Sequence, residues 1–437
     1  MHRQFSVRYL CILALTMAVA ASPAMADTGT AAETAPPAAA AQAQPTLKGK
    51  ILGISKKAKT ISIDADGTTV LVKYNDATAG MEHAKVEEGA IISYAEEGKD
   101  KIATVIKPKL AQLPPGVTEI TPDELSALLE GSAPDRYLLA DARPAARFAE
   151  ASIRTAISLP VAKMEKEGEQ LLPADKDTPI VFFCGGPTCG LSTKNAGLAK
   201  KLGYTNVRVM LQGVPGWKKS GRPLVASPDF IKNGNNVIVD LRSAEEAAQG
   251  HIPRAVNIPF AKLAESESAF AVKPSAPIVV YGNGDEAEQG AKIIQKWGFK
   301  TVALVDGGID GWKARGGELA SGATGTEISW TRIPGKDEVV IADFLKAVEG
   351  GDPGRIILDV RTKDEAAAGG FAGAVHIPLD ELANRMTELP SDREILVHCT
   401  TGARAEMGTK ELVKAGYRSK FLLATVECDG NDCSVEE

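Results

Sequence analysis

The sequence carries the same ordered set of motifs three times. Each copy starts with an apolar segment that ends in Asp-x-Arg, and the three segments are Leu138–Arg143, Val237–Arg242 and Ile356–Arg361. Nineteen residues after each aspartate comes a proline that closes a second apolar segment, at Pro160, Pro259 and Pro378. A third apolar run leads into a Gly-rich loop and ends at Cys184, Gly282 and Cys399, which lie 43, 42 and 40 residues after the aspartates. Repetition on a scale of about 100 residues indicates duplicated domains, since solenoid repeats run ~20–50 residues.

Within each repeat, β-rich runs alternate with helical patterns. The runs that lead into the Gly-rich loops are followed by helical patterns over Ser192–Leu202, Glu286–Trp297 and Arg404–Ala415. This alternation predicts three tandem three-layer α/β/α domains with mostly parallel sheets. Sites in such sheets lie at the carboxyl ends of strands, which is where each Gly-rich loop falls. We expect the domains to span residues 117–226, 228–320 and 333–426, with a Cys-containing tail over 427–437.

The N-terminus has the pattern of a secretory signal peptide. Basic residues precede the apolar run Tyr9–Ala21, and an A-x-A site follows at Ala24–Ala26. We therefore expect residues 1–26 to be removed and the mature protein to be periplasmic or secreted, with no membrane span. The Ala- and Pro-rich stretch 27–46 predicts a disordered linker.

A short β-rich block, residues 47–109, separates this linker from the repeats. Five runs of alternating polarity are joined by turn residues such as Asp66-Gly67 and Gly98. The spacing predicts a small five-stranded barrel-like domain. No residue pattern in this block indicates a chemical role.

The third Gly-rich loop has the residues of a thiolate site. It reads Cys399, Thr400, Thr401, Gly402, Ala403 and Arg404, and it runs from a strand into a helix. Loop amides that point inward and the helix N-terminus both favour an anion, and hence a thiolate. Arg404 is expected to bind an anionic substrate through its guanidinium. The loop thus predicts a nucleophilic sulfur that meets a negatively charged donor.

These motifs resemble the rhodanese (thiosulfate sulfurtransferase) family. The resemblance rests on Asp359–Arg361, on Gly373–Pro378 and on the loop Cys399–Arg404, and it covers about Val117–Leu423. It implies that Cys399 is a catalytic nucleophile that carries a persulfide, that the amides of residues 400–404 cradle this persulfide, and that Arg404 holds the anion. It also implies that Asp359 and Arg361 support the fold.

The first repeat departs from this pattern because it has two cysteines. Its loop runs from Cys184 to Gly190, and Cys189 stands five residues after Cys184, where the third repeat has Arg404. We expect Cys184 to be a second catalytic nucleophile with the lower pKa and Cys189 to resolve its adduct. A structural disulfide between them is the alternative reading.

The second repeat and the tail complete the set of loop positions and cysteines. The second loop has Gly282 in place of the nucleophile and adds Asp285 and Glu286, so this domain is expected to be catalytically inactive. In the tail, Cys428 and Cys433 share the five-residue separation of Cys184 and Cys189. They can form a hairpin disulfide or act as a resolving dithiol for Cys399.

Three classes of function fit these features. The first is an exported sulfurtransferase that moves sulfane sulfur from an anionic donor such as thiosulfate to a thiol acceptor. A phosphatase or arsenate reductase is disfavoured, since four residues separate Cys399 from Arg404 and that class typically has five. The third is a non-catalytic binding or assembly protein. Exported proteins of this layout also resemble those that handle selenium or tellurium oxyanions beside extracytoplasmic redox proteins.

The charge of the chain and the spacing of its His and Cys residues argue against nucleic-acid and metal partners. The net charge of −6 and the lack of basic tracts argue against nucleic acid. No His/Cys cluster has zinc spacing, so we expect neither a metal nor a cofactor.

Overall fold

The structure is a computed structural model that describes residues 44–56, 59–86, 88–350 and 352–436. The predicted signal peptide, residues 1–26, and most of the predicted linker lie outside the described residues. In the part of the chain that is described, no helix is long and apolar enough to cross a membrane.

The first described domain is a closed five-stranded barrel, as the sequence predicts. Its strands, in the order β1-β2-β3-β5-β4, are β1 (Thr46–Ser55), β2 (Thr60–Ala65), β3 (Thr68–Lys73), β4 (Gly89–Glu97) and β5 (Asp100–Pro108). Alternate side chains such as Ile61, Ile63 and Ile92 fill the interior and are fully buried. The register of β1 against β2 shifts between Ile51 and Gly53. Such a bulge bends the strand locally.

Three α/β domains with the same topology follow, and this confirms the predicted fold class. Every sheet is parallel, and the strand that leads into the Gly-rich loop lies in its centre. The first domain contains β6 (Thr118–Glu119), α1 (Pro122–Gly131), β7 (Leu138–Asp141), α2 (Ala145–Glu150), β8 (Ile157–Ser158), α3 (Val161–Leu171), β9 (Ile180–Phe183), α4 (Leu191–Lys201), β10 (Val207–Met210) and α5 (Gly213–Lys219). Its sheet order is β6-β10-β9-β7-β8.

The second and third domains repeat this order. The second contains β11 (Val225–Ala226), α6 (Pro228–Asn233), β12 (Val237–Asp240), α7 (Ala244–Gln249), β13 (Val256–Asn257), α8 (Phe260–Leu263), β14 (Ile278–Tyr281), α9 (Glu286–Lys296), β15 (Val302–Val305) and α10 (Gly308–Ala314). The third contains β16 (Glu338–Val339), α11 (Ile341–Gly350), β17 (Arg355–Asp359), α12 (Lys363–Ala367), β18 (Val375–His376), α13 (Leu379–Arg385), β19 (Glu394–His398), α14 (Ala403–Lys414) and β20 (Ser419–Leu422). A terminal hairpin, β21 (Thr425–Asp429) and β22 (Asp432–Glu436), replaces the last helix of the other two domains.

The Asp-x-Arg motif fixes the same corner in each domain. In the third domain, the Asp359 carboxylate accepts hydrogen bonds from the Arg361 guanidinium, which also donates to the carbonyl of Gly369 at 2.7 Å. Arg143 and Arg242 make the equivalent bonds to the carbonyls of Ala151 and Gly250. The motif therefore ties the end of a central strand to the segment after the next helix, and this supports the structural role expected for it.

The first two domains share one apolar core. A single cluster of buried side chains includes Trp217 of the first domain and Trp312 of the second, together with Ile231 and Ile252. The edge strand β11, which the sequence assigns to the end of the first domain, pairs with β15 of the second sheet. The third domain has apolar clusters of its own.

Candidate active site

The third loop places Cys399 at the carboxyl end of the central strand β19. The amide of Gly402 donates to the Cys399 sulfur at 3.1 Å, and α14 begins one residue later. Gly402 has φ 94°, and a Cβ there would lie 2.7 Å from the Leu423 side chain, so only glycine fits this turn without displacing its neighbours. The loop thus brings the Gly402 amide to the sulfur, and the wider cradle of amides from residues 400–404 stays a prediction.

The Arg404 guanidinium does not point freely into this loop. It binds the Glu365 carboxylate through two hydrogen bonds of 2.6 and 2.9 Å, and both side chains are almost fully buried. The Thr400 hydroxyl bridges the two groups. This differs from the expectation that Arg404 holds an anionic donor, because a buried carboxylate already occupies its two terminal nitrogens. In the structure Arg404 braces the loop against α12.

Glu365 is an anion in this arrangement. Burial alone would raise the pKa of its carboxyl, but the charge and hydrogen bonds of Arg404, with donors from Thr362, outweigh burial and lower this pKa to about 2. The Arg404 charge is therefore neutralised within the domain.

Two other segments cover the third loop. The terminal hairpin reaches it from one side, where the Val426 amide donates to the Thr400 carbonyl at 2.9 Å. The cross-strand cysteines of this hairpin, Cys428 and Cys433, form a disulfide. From the other side, strand β1 of the barrel brings Gly53 against Thr401 and Arg404. The space left beside Thr400 and Glu365 is a cavity of about 20 Å³, and Cys399, which does not line it, is buried.

The first loop is longer than the other two. Seven residues, Cys184 to Gly190, separate β9 from α4, whereas four residues separate strand and helix in the second and third domains. The second helical residue is Ser192 in the first domain and Arg404 in the third. The structural counterpart of Arg404 is therefore Ser192, and Cys189 stands on a three-residue extension of the loop. The sequence-based alignment equated Cys189 with Arg404 because each lies five residues after its loop cysteine. The structure does not support that alignment.

The Cys184 sulfur lies among several polar groups although the residue is buried. It is 3.1 Å from the carbonyl oxygen of Cys189 and 3.2 Å from the Ser192 hydroxyl. The carbonyl favours the thiol. The thiolate is favoured chiefly by a hydrogen bond from the Cys189 thiol, and then by the hydroxyl and amide of Ser192 and the amide of Gly186. Together these groups outweigh burial, which by itself would raise the pKa. The pKa of Cys184 falls to about 6, whereas that of Cys189 is raised by its hydrogen bond to Cys184 and by burial.

A cavity of about 750 Å³ reaches the first loop. Gly185 and Cys189 line it, and Cys184, which is buried and does not line it, has its sulfur 3.1 Å from the Cys189 carbonyl oxygen. Its other walls come from the barrel, from helices α2 and α5, and from Lys300 and Thr301 of the second domain. Cys184 and Cys189 are both free thiols in the structure, and no disulfide joins them.

The second loop holds no sulfur. Gly282 ends the central strand, and the Asn283 side chain donates to Glu246 at 3.0 Å. Glu246 occupies the same helical position as Glu365, the third residue after the helix cap. Within the described residues, no group of three or more His, Cys, Asp or Glu side chains is arranged to hold a metal ion.

Three parallel sheets, two of them with a free cysteine after the central strand, define a tandem α/β protein with thiols at the carboxyl ends of its strands. The chain belongs to the rhodanese family: the family model described as "Rhodanese-like domain" matches residues 121–220, 229–315 and 341–425. A family of this kind supports sulfur-transfer activity in general.

Individual relatives cover parts of the chain. The chain is 34% identical over 88 residues to "Thiosulfate sulfurtransferase GlpE" of Coxiella burnetii, which is 20% of this chain and 79% of the relative. It is 34% identical over 62 residues to a "Sulfurtransferase" of Allochromatium vinosum, 14% of this chain and 58% of that protein. It spans 43% of the "Putative sulfur carrier protein YrkF" of Bacillus subtilis, at 36% identity over 81 residues. The chain thus spans about half of the length of two of these three relatives.

Solved structures give a weaker likeness. The crystal structure of a thiosulfate sulfurtransferase from Pseudomonas aeruginosa aligns with 74% of this chain and 70% of its own, at 22% identity and a TM-score of 0.23. Values this low carry no conclusion about function.

Glu365 and Ser192, together with Arg147 of α2, which lines the cavity at the first loop, are residues that the sequence patterns did not single out as part of a site. Glu365 and Arg147 each lie six residues after the motif aspartate, as does Glu246. Aligning the repeats on that aspartate therefore reveals this position. The role of Ser192 could be read only from where α4 begins, because the loop extension shifts it relative to Cys184.

Proposed function

We propose that this protein is an exported sulfurtransferase that carries sulfane sulfur on Cys184. The observation that carries the proposal is the cavity of about 750 Å³ that ends at the Cys184 loop. A low thiol pKa and room for a donor occur together at this loop, whereas the Cys399 loop faces a cavity of about 20 Å³. Sulfur transfer through Cys399 stays a prediction that requires its cover to move.

The proposed reaction begins with the Cys184 thiolate. Its sulfur attacks the outer sulfur of the donor, a new sulfur–sulfur bond forms, and the donor's own bond to that sulfur breaks with the electron pair leaving on the donor. Cys184 then carries a persulfide, and a thiol acceptor takes the outer sulfur by the same exchange. No net oxidation occurs in this cycle.

Cys189 offers a second outcome for the persulfide. Its thiolate can attack the inner sulfur, Sγ of Cys184, and displace the outer sulfur as hydrosulfide. The two cysteines are then oxidised to a disulfide, and an external dithiol is needed to reduce them. The two residues are already in contact, since the Cys184 sulfur lies 3.1 Å from the Cys189 carbonyl oxygen.

Intact-mass spectrometry tests the proposal. Incubation with a sulfane donor should add about 32 Da, one sulfur atom, to the mature protein, and the adduct should be absent in Cys184→Ser. The Cys189→Ser variant should hold the adduct longer than the wild type. Cys399→Ser is the matched control and should load normally. An adduct that persists in Cys184→Ser and disappears in Cys399→Ser would reject the assignment.

Export is proposed on the basis of residues 1–26. N-terminal sequencing of the protein from a bacterial host with an export pathway should give Asp27 as the first residue. Recovery of an intact Met1 from the periplasmic fraction, or of the protein only in the cytoplasm, would contradict export.

A further inference from the structure

Near its cysteine loop, the first domain has a positively charged side chain at a position where the other two domains have a negatively charged one. The third residue of the helix after Asp-x-Arg is Glu365 in the third domain and Glu246 in the second, but it is Arg147 in the first. At the same time, Ser192 replaces the arginine that α14 contributes. The buried Glu–Arg pair of the third domain is thus absent from the first, and Arg147 lies at the surface with 65% of its side chain exposed.

Arg147 lines the cavity that ends at Gly185 and Cys189. Lys218 and Lys300 line the same cavity, and the Lys218 ammonium donates to the Lys300 carbonyl at 2.9 Å, which holds it in place. Two acids, Glu88 and Glu150, also border the cavity, and Glu150 accepts a hydrogen bond from Arg147 at 3.1 Å. Since Arg143 is neutralised by the buried Asp141, the described side chains leave an excess of positive charge.

The rest of the wall is largely apolar. It includes Val86, Leu191, Val214, Pro215 and Leu224. A volume of about 750 Å³ is in the range of sites that bind organic molecules and far exceeds a five-atom inorganic anion such as thiosulfate. The ligand that fits has a carbon skeleton, a negative charge away from its reactive end, and a sulfur that reaches the loop.

We propose that this cavity binds an organic persulfide that carries a carboxylate, and that Arg147, with Lys218 and Lys300, recognises the carboxylate. The inference rests on the proposed sulfur transfer through Cys184 and names its donor class. A guanidinium and two ammonium groups pair with carboxylates by charge-assisted hydrogen bonds, and the apolar wall covers the carbon skeleton.

The transfer step balances without a further reactant. The Cys184 thiolate forms a bond to the outer sulfur of the donor R–S–SH, and the bond between the donor's two sulfurs breaks. The donor leaves as the thiolate R–S⁻ and takes up the proton of its former S–H group. The products are the Cys184 persulfide anion and the free thiol R–SH.

The test compares two persulfide donors on the full mature chain. Glutathione persulfide carries two carboxylates and 2-hydroxyethyl persulfide carries none, and the rate of sulfur loading on Cys184 is followed by mass spectrometry in the Cys189→Ser background. We expect wild-type Arg147 to favour the glutathione donor, and Arg147→Glu to lower its loading rate by about tenfold through charge reversal. Loading by the uncharged donor should change by less than about twofold, because no charge pair is involved.

Lys194→Glu is the matched control. Lys194 follows the same loop but pairs with Glu165 outside the cavity, so its reversal should leave both rates unchanged. Equal loss with both donors in Arg147→Glu would show a structural effect and overturn the recognition role. Faster loading by thiosulfate than by either persulfide would overturn the donor class. If no donor loads Cys184 at all, the proposed function itself fails, which is a separate outcome.

Discussion

At the scale of single residues, the reactivity of Cys184 depends on the groups that stabilise its thiolate. Because its pKa is lowered to about 6, the thiolate fraction should rise with pH up to about 7 and then level off. We expect the rate of alkylation of Cys184 by iodoacetamide to follow this curve in Cys189→Ser, where a hydroxyl keeps the hydrogen bond. Cys189→Ala removes the largest stabilising contact and should shift the midpoint toward the ordinary value of 9.0. Midpoints that coincide in the two variants would contradict this account.

Glu365 should have a measurable effect on the stability of the third domain. Its folded-state pKa of about 2 lies below the ordinary 4.5, so its contribution is complete above pH 4.5 and is lost as pH falls toward 2. Glu365→Gln leaves the buried Arg404 charge without a partner and should cost about 3–5 kcal/mol at neutral pH. Hydrogen exchange of α14 amides measures the loss. Glu381→Gln alters a half-buried carboxylate that makes surface ion pairs with Lys363 and Arg385 and should have a much smaller effect, so equal effects in both variants would refute the role of burial.

The sequence singled out Cys184 and Cys399 as candidate nucleophiles because cysteine at the end of an apolar strand, followed by a Gly-rich loop, is a local pattern. It did not reveal that Arg404 is paired, since Glu365 lies 39 residues away along the chain and the bond forms only when α12 and α14 pack together.

At the scale of elements, the terminal hairpin restrains the third loop. Its disulfide closes a short ring, which in the chain-entropy model stabilises the closed form by about 2 kcal/mol. The double variant Cys428→Ser, Cys433→Ser should therefore speed hydrogen exchange in β21 and β22 by roughly thirtyfold and raise the alkylation rate of Cys399. Alkylation of Cys184 in the same sample is the internal control. Unchanged reactivity of Cys399 would mean that the hairpin does not control access.

The sequence did not show how long each cysteine loop is, and hence where the helix after it begins. Counting five residues from each cysteine equates Cys189 with Arg404, but α4 begins seven residues after Cys184 and α14 begins four residues after Cys399. The helix start depends on where the backbone can resume its hydrogen bonds, and the longer first loop contains a turn of its own, closed by the bond from the Cys189 amide to the Gly186 carbonyl.

At the scale of the whole molecule, the barrel acts as a cover for the third domain. The sequence predicted its five strands but gave no sign of where it docks, because the contacts, such as Gly53 against Thr401 and the ion pair of Lys73 with Asp364, join residues far apart along the chain. A Cβ at Gly53 would lie 3.5 Å from Thr401 and 3.6 Å from Arg404, so there is room for little more than a methyl group.

Gly53→Phe should push β1 away from the third loop. We expect faster alkylation of Cys399 and little change at Cys184, because the ring must displace the contact with Thr401 and Arg404. Lys48→Phe adds the same ring at an exposed position of the same strand and should leave Cys399 unreactive. Protection of Cys399 that survives in Gly53→Phe, in a variant whose barrel remains folded by circular dichroism, would argue against the cover.

The common core of the first two domains bears on how such a chain can change over generations. The second repeat has no thiol, and a part without chemistry is ordinarily free to drift or to be deleted. Here its removal would expose the apolar core of the first repeat, because Ile231 and Ile252 of the second repeat lie in the same buried cluster as Trp217. Selection for the reactivity of the first loop therefore also preserves the second repeat. Gene rearrangements should remove residues from the ends of this protein more readily than they separate the first two repeats.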